Sequence, residues 1–247
     1  MKYSSLTDMK QNRQRSPIHS EGLPTEIRQA AAIYQKDIRS ELRNRAALNS
    51  ILLFSITSLI IAGFSVGANY NLSADVNSAI LWIILFFSAF SGMSHVFVRE
   101  EETSTVIALR LTARANAVLV GKLLFNITLM ALISLILIPL YIALLNVHIP
   151  FPGIFALSLL LGLFGLCLSA TLTAAIIAKS QGKGALYGAI GFPLLIPLLF
   201  LAVDATRLAL LSYSNMDIIR RDLIGLASFD IMVAFSSVFL FPYIWES

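Results

Sequence analysis

The chain has 247 residues, of which 57% are hydrophobic and only 13% are charged, and its formal net charge is +4. Soluble domains carry about 25% charged residues, so this composition excludes an ordinary soluble domain and indicates an integral membrane protein. The single cysteine excludes an intramolecular disulfide, and there is no glycine-rich loop of the kind that cradles phosphates. We therefore expect a non-catalytic membrane protein that does not hydrolyse nucleotide itself, with no metal site and no nucleic-acid partner.

The N-terminal part divides into a polar tail and an amphipathic stretch. Residues 1–23 have no apolar core of the signal-peptide type, so we expect a disordered cytoplasmic tail, followed by one transmembrane domain over residues 24–247. Residues 25–45 are predicted to form a helix whose apolar residues recur at helical spacing: Ile27, Ala31, Tyr34, Ile38 and Leu42. Its basic residues fall largely elsewhere: Arg28, Lys36, Arg39 and Arg43. Such a helix lies on the inner leaflet, where it is either an anchor or a lever joined to the first span.

Six apolar runs are long enough to cross about 30 Å of hydrocarbon, which takes about 20 helical residues. They cover residues 48–68, 79–98, 123–145, 154–178, 185–203 and 224–243. Nine Lys and Arg residues precede the first run, four lie in the second connection and two in the fourth. The first and third connections hold none and the fifth holds three, so both termini are predicted to be cytoplasmic. Residues 208–223 suggest a re-entrant or interfacial segment between the last two spans.

A charged segment, VREEETSTVIALRLTARANAVLVGK, separates the second span from the third. A charged residue at the centre of a membrane helix costs about 2.5–3.5 kcal/mol, so this segment lies outside the lipid. Residues 103–110 can form two turns of helix, and we expect a cytoplasmic helix that docks against another protein; a plain interfacial loop is the alternative. The residues proposed to make that contact are Glu100, Glu101, Glu102, Val106, Leu109, Arg110 and Arg114.

This arrangement resembles the membrane subunits of ABC-2-type ABC transporters, in which the loop between spans two and three is the coupling helix for a separate ATPase. Three stretches, IYQKDIRSELRNR, LWIILFFSAFSGMSHVFVREEETST and GFPLLIPLLFLAVDAT, resemble more narrowly the cytochrome c maturation protein B, or haem exporter protein B, family. FDIMVAF at the start of the last span fits the same family. The resemblance extends over residues 30–243.

The resemblance implies a multi-pass protein of the bacterial cytoplasmic membrane in system I cytochrome c biogenesis. Its partners would be the ATPase, cytochrome c maturation protein A, which binds ATP and magnesium, the haem-handling membrane protein C and the small protein D of the same system. Two copies of this chain per complex are implied. ATP would drive the release of a haem-loaded chaperone, cytochrome c maturation protein E, and haem itself would be a substrate or cargo rather than a bound cofactor.

Several residues inside the spans are candidates for packing or function. Small residues follow one face of span four, including Gly162, Gly165 and Ser169, and they favour close helix packing within the subunit or across a dimer. Pro193 and Pro197 each remove a helical hydrogen bond, which predicts a kink that serves either shape or flexing. The two tryptophans lie near the predicted membrane interfaces, as in an aromatic belt.

Two residues are candidates for a role at the outer side. Asp230 is the one acid within a predicted span, which we place a few residues from its outer end. His148 lies in the outer turn NVHIPFPG and is the only histidine predicted to face that compartment. Haem iron takes axial ligands such as histidine, although a histidine in a turn is more often solvated.

Two other functions stay open on the sequence. One is an ABC-2 membrane subunit that exports another lipid, glycan or drug. The other is an ion-coupled or proton-coupled secondary transporter, which would bring several acids or histidines together at mid-membrane, and no such cluster is evident in the spans.

Overall fold

The computed structural model describes residues 23–43, 45–66, 72–102, 113–178, 183–211 and 215–246. All regular secondary structure in these ranges is α-helical. The helices are α1 (Leu23–Arg43), α2 (Ala46–Val66), α3 (Ala74–Glu102), α4 (Ala115–Leu145), α5 (Pro152–Ala178), α6 (Lys183–Leu210) and α7 (Met216–Glu246). The predicted all-α class is confirmed.

Six of these helices, α2 to α7, are long and apolar enough to cross a membrane. The predicted number of spans is therefore confirmed, but the helices are longer than the apolar runs. α4 begins at Ala115 and α7 at Met216, because polar residues at a helix end keep hydrogen bonding within the helix beyond the apolar stretch. Of the two alternatives for residues 208–223, the re-entrant one is wrong for the described residues, since α6 continues to Leu210 and α7 starts at Met216. That this segment lies at the membrane interface stays a prediction.

The bundle is built around α5. In its apolar stretch 56% of the residues are buried, compared with 17% in that of α2, so α5 is the central helix and α2 lies at the edge. The main core joins α3 to α7 through large apolar side chains, among them Leu85, Ile133, Leu166, Leu198 and Phe229. These helices pack by shape complementarity, which drives helix association in lipid.

A second, smaller core forms at the end of the bundle where α1 lies, which we call the α1 end. It contains residues from four helices: Ile33, Val118, Leu119, Ala174, Ala175, Phe241 and Trp245. The rings of Phe241 and Trp245 stack with centroids 5.7 Å apart. The start of α4, the end of α5 and the end of α7 are therefore held together against α1.

Candidate functional site

α1 and α4 pack closely against each other at the α1 end. Gly121 on α4 leaves no room for a side chain, because a Cβ there would lie 2.9 Å from the Ala30 carbonyl oxygen and 2.9 Å from Ile33 Cβ. Ala30 and Ile33 are each only 5% exposed. The glycine thus allows the backbone of α1 to approach α4 directly.

An ion pair is buried at the same junction. Lys122 Nζ lies 2.9 Å from Asp37 Oδ2, and the two side chains are 1% and 10% exposed. Removing one member of a buried pair leaves the other charge uncompensated, so such a pair strongly fixes the geometry of the helices that carry it. Asp37 also lies 3.2 Å from the exposed Lys36.

The sequence analysis missed this pair. Asp37 lies among the basic residues of α1, and Lys122 was assigned to the connection that precedes the third span. A usable signal was present: a lysine directly after a glycine, one or two turns inside an apolar helix, needs a partner. α1 contains three acids that could be this partner: Glu26, Asp37 and Glu41.

The rest of α1 has two distinct faces. Ala30, Ile33 and Asp37 face the bundle, whereas Ile27 and Leu42 of the predicted apolar stripe are 64% and 61% exposed. The Tyr34 hydroxyl donates to Thr128 Oγ1 at 3.2 Å, since the Thr128 proton is given to the Leu124 carbonyl. The basic residues of the predicted membrane-facing set are exposed: Arg28, Lys36, Arg39 and Arg43. That α1 lies on a leaflet stays a prediction.

The N-terminus of α4 is also tied to α1. Arg114 Nη1 lies 2.8 Å from Glu26 Oε1, and the Arg114 backbone N–H donates to Gln29 Oε1 at 3.3 Å. Arg114 was predicted to contact an ATPase, and the structure gives it a partner within the chain. Its side chain is still 60% exposed.

The other predicted coupling residues are described only in part. Glu100, Glu101 and Glu102 form the last turn of α3, but their side chains lie outside the described part of the chain. Val106, Leu109 and Arg110 lie outside the described residues altogether. The described chain brackets this segment, with α3 ending at Glu102 and Arg114 bound to α1.

The small-residue face of α5 packs inside the protein. A Cβ at Gly162 would overlap the indole of Trp82 on α3, and one at Gly165 would overlap Asp230 on α7. Ser169 on the same face is 0% exposed. Of the two uses predicted for this face, the structure thus places intramolecular packing at Gly162 and Gly165.

Asp230 lies at the middle of the bundle, not near an outer end as we expected. The expectation is wrong because α7 begins at Met216, eight residues before the apolar run on which the prediction was based. Asp230 is 4% exposed, and neither carboxylate oxygen has a hydrogen-bond partner among the described residues. Gly165 and Leu198, which lie near the middles of α5 and α6, meet beside it.

α6 continues as a helix through both predicted kink positions, Pro193 and Pro197. Both prolines are on its exposed side, while Leu195 and Leu198 are 0% exposed. Each proline withholds one backbone hydrogen bond, so this stretch of α6 resists bending less than the rest.

The opposite end of the bundle is held by polar contacts between α3 and α6. Arg207 pairs with Asp204 at 2.6 Å, one turn earlier on α6, and lies 3.7 Å from Asp75 at the start of α3. The Trp82 indole N–H donates to Thr206 Oγ1 at 2.8 Å. Both tryptophans are buried, Trp82 to 1% and Trp245 to 8% exposure, so neither ring lies on the outer surface of the bundle, where an aromatic belt would be.

His148 lies at the opposite end and is exposed. With Asn77, Asn146 and the apolar side chains around them it lines a cavity of about 490 Å³. No group of three His, Cys, Asp or Glu residues within the described ranges is placed to hold a metal ion.

One amphipathic helix packed against a bundle of six long apolar helices defines a multi-pass α-helical membrane protein. The sequence profile of the CcmB protein family matches residues 28–243, and the chain belongs to this family. It is 25% identical over 178 residues to "Heme exporter protein B" of Bradyrhizobium diazoefficiens. That match covers 72% of this chain and 80% of the relative.

Proposed function

We propose that this chain is the membrane subunit of an ABC-type complex in system I cytochrome c maturation. ATP hydrolysis in a separate ATPase, cytochrome c maturation protein A, drives a conformational change. This chain transmits that change to haem export or to the release of a haem-loaded chaperone. The complex lies in the bacterial cytoplasmic membrane, with the α1 end and both termini in the cytoplasm. Its other members are the haem-handling protein C and the small protein D of the same system, with two copies of this chain.

Family membership and the name of the relative support the haem-related role. The observation that carries the mechanical role is the double attachment of α1 to α4. Glu26 and Gln29 hold Arg114, and two turns further along α4 Asp37 holds Lys122. A push on the segment between Glu102 and Arg114 would therefore move α1 and α4 together.

The second core extends this path. Val118 and Leu119 of α4 pack with Ala174 and Ala175 of α5 and with Phe241 of α7. Displacement of α4 is thereby passed to the centre of the bundle, because close-packed interiors transmit strain. α1 is thus a lever in this scheme, and its exposed basic side chains face the phosphates of the inner leaflet.

His148 and its cavity lie on the exterior in this orientation. A lone exposed imidazole is a weak basis for ligating haem iron, so the haem is held by the haem-handling partner. ATP and magnesium are bound by the ATPase, and the chain described here supplies the membrane path and the docking segment.

Reversal of the charges at Glu101 and Glu102 tests this function. Glu101→Lys together with Glu102→Lys should abolish cytochrome c maturation and separate the chain from the ATPase, because acidic contacts to the motor become repulsive. The measurements are c-type cytochrome content in cells, ATPase co-purification in mild detergent, and membrane insertion of the variant.

Asp217→Lys is the matched control, since Asp217 is an exposed acid in the first turn of α7 at the opposite end. Normal cytochrome content and an intact complex in the double glutamate variant would contradict the proposal. Suppose instead that an ATPase co-purifies with the chain but c-type cytochromes survive deletion of the chain. This combination would indicate export of another substrate.

A further inference from the structure

Three buried polar side chains lie in a row between α5 and its neighbours. Asp230 meets α5 at Gly165, Ser169 follows one turn later, and Thr173 one turn after that. Four residues of helix rise about 6 Å, so the three positions are about 6 Å apart. Ser169 and Thr173 are 0% exposed and Asp230 is 4% exposed.

None of the three has a hydrogen-bond partner for its side-chain oxygens within the described part of the chain. Five other buried hydroxyls of the spans donate to the carbonyl four residues earlier, those of Ser55, Ser88, Ser158, Thr171 and Ser237. Ser169 and Thr173 do not, although each lies on the same helix as Ser158 and Thr171. The hydroxyls of Ser134 and Tyr141 on α4 are also unpaired within the described residues, but they do not form a row with an acid. Buried polar groups are almost always paired, so a run of three unpaired ones points to a partner that binds there.

α6 covers this row. Leu198 packs at Gly165 beside Asp230, and a Cβ at Gly191 would lie 3.3 Å from Thr173 Cγ2. Pro193 and Pro197 both lie between Gly191 and Leu198, the two residues of α6 that make these contacts. The part of α6 that covers the three polar side chains is therefore the part that bends most easily.

We propose that α5, α6 and α7 enclose a polar site that opens toward the α1 end when α6 bends away. Water fills the opened row, and the site receives a cationic, hydrogen-bond-donating group at the Asp230 carboxylate. Ser169 and Thr173 supply hydroxyls along the way from the α1 end to Asp230. In the closed state described here, α6 seals the row. The proposal rests on the proposed function in one respect, since ATP hydrolysis by the partner drives the opening.

Cysteine accessibility tests the opening. Ser169→Cys and Thr173→Cys are made singly in a Cys167→Ser chain and assembled with the ATPase in inside-out membrane vesicles. The probe is a membrane-impermeant trimethylammonium thiosulfonate reagent, applied with and without ATP. If ATP raises the open population from below about 1% to about 10%, the labelling rate of both cysteines rises about tenfold.

Thr171→Cys is the matched control. Thr171 lies between the two test positions and is equally buried, but it faces α4, where the Asn126 amide donates to it at 2.8 Å. Its cysteine should label slowly with and without ATP. Equal acceleration at position 171 would show general loosening and overturn the proposal, as would rapid labelling of 169 and 173 without ATP.

ATP hydrolysis measured in the same vesicles separates the two proposals. If hydrolysis is normal and no cysteine is accelerated, the polar site is wrong while the coupling function stands. If the complex hydrolyses no ATP, the coupling function is wrong, and the ATP-driven opening is wrong with it.

Asp230→Asn in the Ser169→Cys chain tests the preference for a cation. A carboxylate about 6 Å from the reacting thiol, in water, should favour the cationic probe about threefold over a neutral methyl thiosulfonate of the same chemistry. The asparagine variant should lose that preference and keep its rate with the neutral probe. An unchanged ratio of the two rates would overturn the assignment of Asp230 as the receptor.

Discussion

Two buried acids of the bundle, Asp37 and Asp230, have opposite surroundings. Asp37 lies at the α1 end with Lys122 Nζ at 2.9 Å. Asp230 lies at the centre, where Gly165 and Leu198 are its neighbours and neither oxygen is paired among the described residues. A buried charge with a partner fixes two helices relative to each other, whereas a buried acid without a partner is available to a ligand or to another conformation.

This difference divides the protein into a rigid part and a part that can change. At the α1 end, α1 and α4 share a glycine contact and two ion pairs, one of them buried. At the centre, α6 covers polar side chains with a stretch that contains two prolines. The coupling proposed above would need both parts, because a displacement has to pass through a rigid contact to a region that can change its conformation.

The largest effect is expected at the rigid junction. Asp37→Asn leaves the ammonium of Lys122 without this carboxylate at a site that is 0% exposed, and should lower the free energy of unfolding by about 3–5 kcal/mol. The measurement is denaturant unfolding of the purified protein in mixed micelles. Asp217→Asn, at an exposed acid, is the control and should have little effect.

A double variant sharpens the same point. Asp37→Leu with Lys122→Met replaces both charges with apolar side chains of similar length, which should recover most of the lost stability. If the double variant is as unstable as Asp37→Asn, the loss comes from packing at the junction and not from an uncompensated charge.

The next effect concerns packing on the face of α5 that leads to Asp230. In Gly162→Ala the new methyl group overlaps the Trp82 ring, which is held in place by its bond to Thr206. Overpacking of this kind costs about 1–3 kcal/mol. Gly153→Ala on the same helix is the control, because nothing lies within 4 Å of a Cβ there. Equal stability of the two variants would show that α3 and α5 are not closely packed.

Composition and apolar periodicity were sufficient to predict the class, the six spans and the existence of α1. Each of these follows from local sequence, since a membrane helix needs only a run of apolar residues. The helix ends were less predictable, because α4 and α7 continue into polar residues that carry no apolar signal. Asp230 was misplaced for this reason, by the eight residues from Met216 to Leu223.

The contacts of the site could not be predicted, because they join residues far apart in sequence. Asp37 and Lys122 are 85 positions apart, and nothing in either neighbourhood identifies the other. The stripe at Ile27 and Leu42 did predict an apolar face of α1, but the face that binds α4 is the neighbouring one, with Ala30 and Ile33. Small residues are compatible with packing on any partner, so only the fold places Gly162 against Trp82.

A smaller effect is expected for the exposed ion pair of the rigid junction. Glu26→Ala removes the partner of Arg114, whose side chain is 60% exposed. Exposed pairs contribute about 0.2–1 kcal/mol, so the unfolding free energy should change by no more than that. A double-mutant cycle with Arg114→Ala isolates the pair. A coupling energy as large as the effect of Asp37→Asn would mean that the N-terminus of α4 is buried in the folded protein.

The smallest effect is expected at Asp230 and makes the sharpest contrast, because the substitution is the same as at Asp37. Asp230→Asn removes no hydrogen bond found among the described residues, and a neutral amide is less costly to bury than a carboxylate. The unfolding free energy should therefore change by less than about 1 kcal/mol, in the stabilising direction. Asp37→Asn measured in the same micelles gives the reference loss. A loss at Asp230 as large as that at Asp37 would require a cationic partner already present in the folded chain, and the central acid would then belong to the rigid part of the protein.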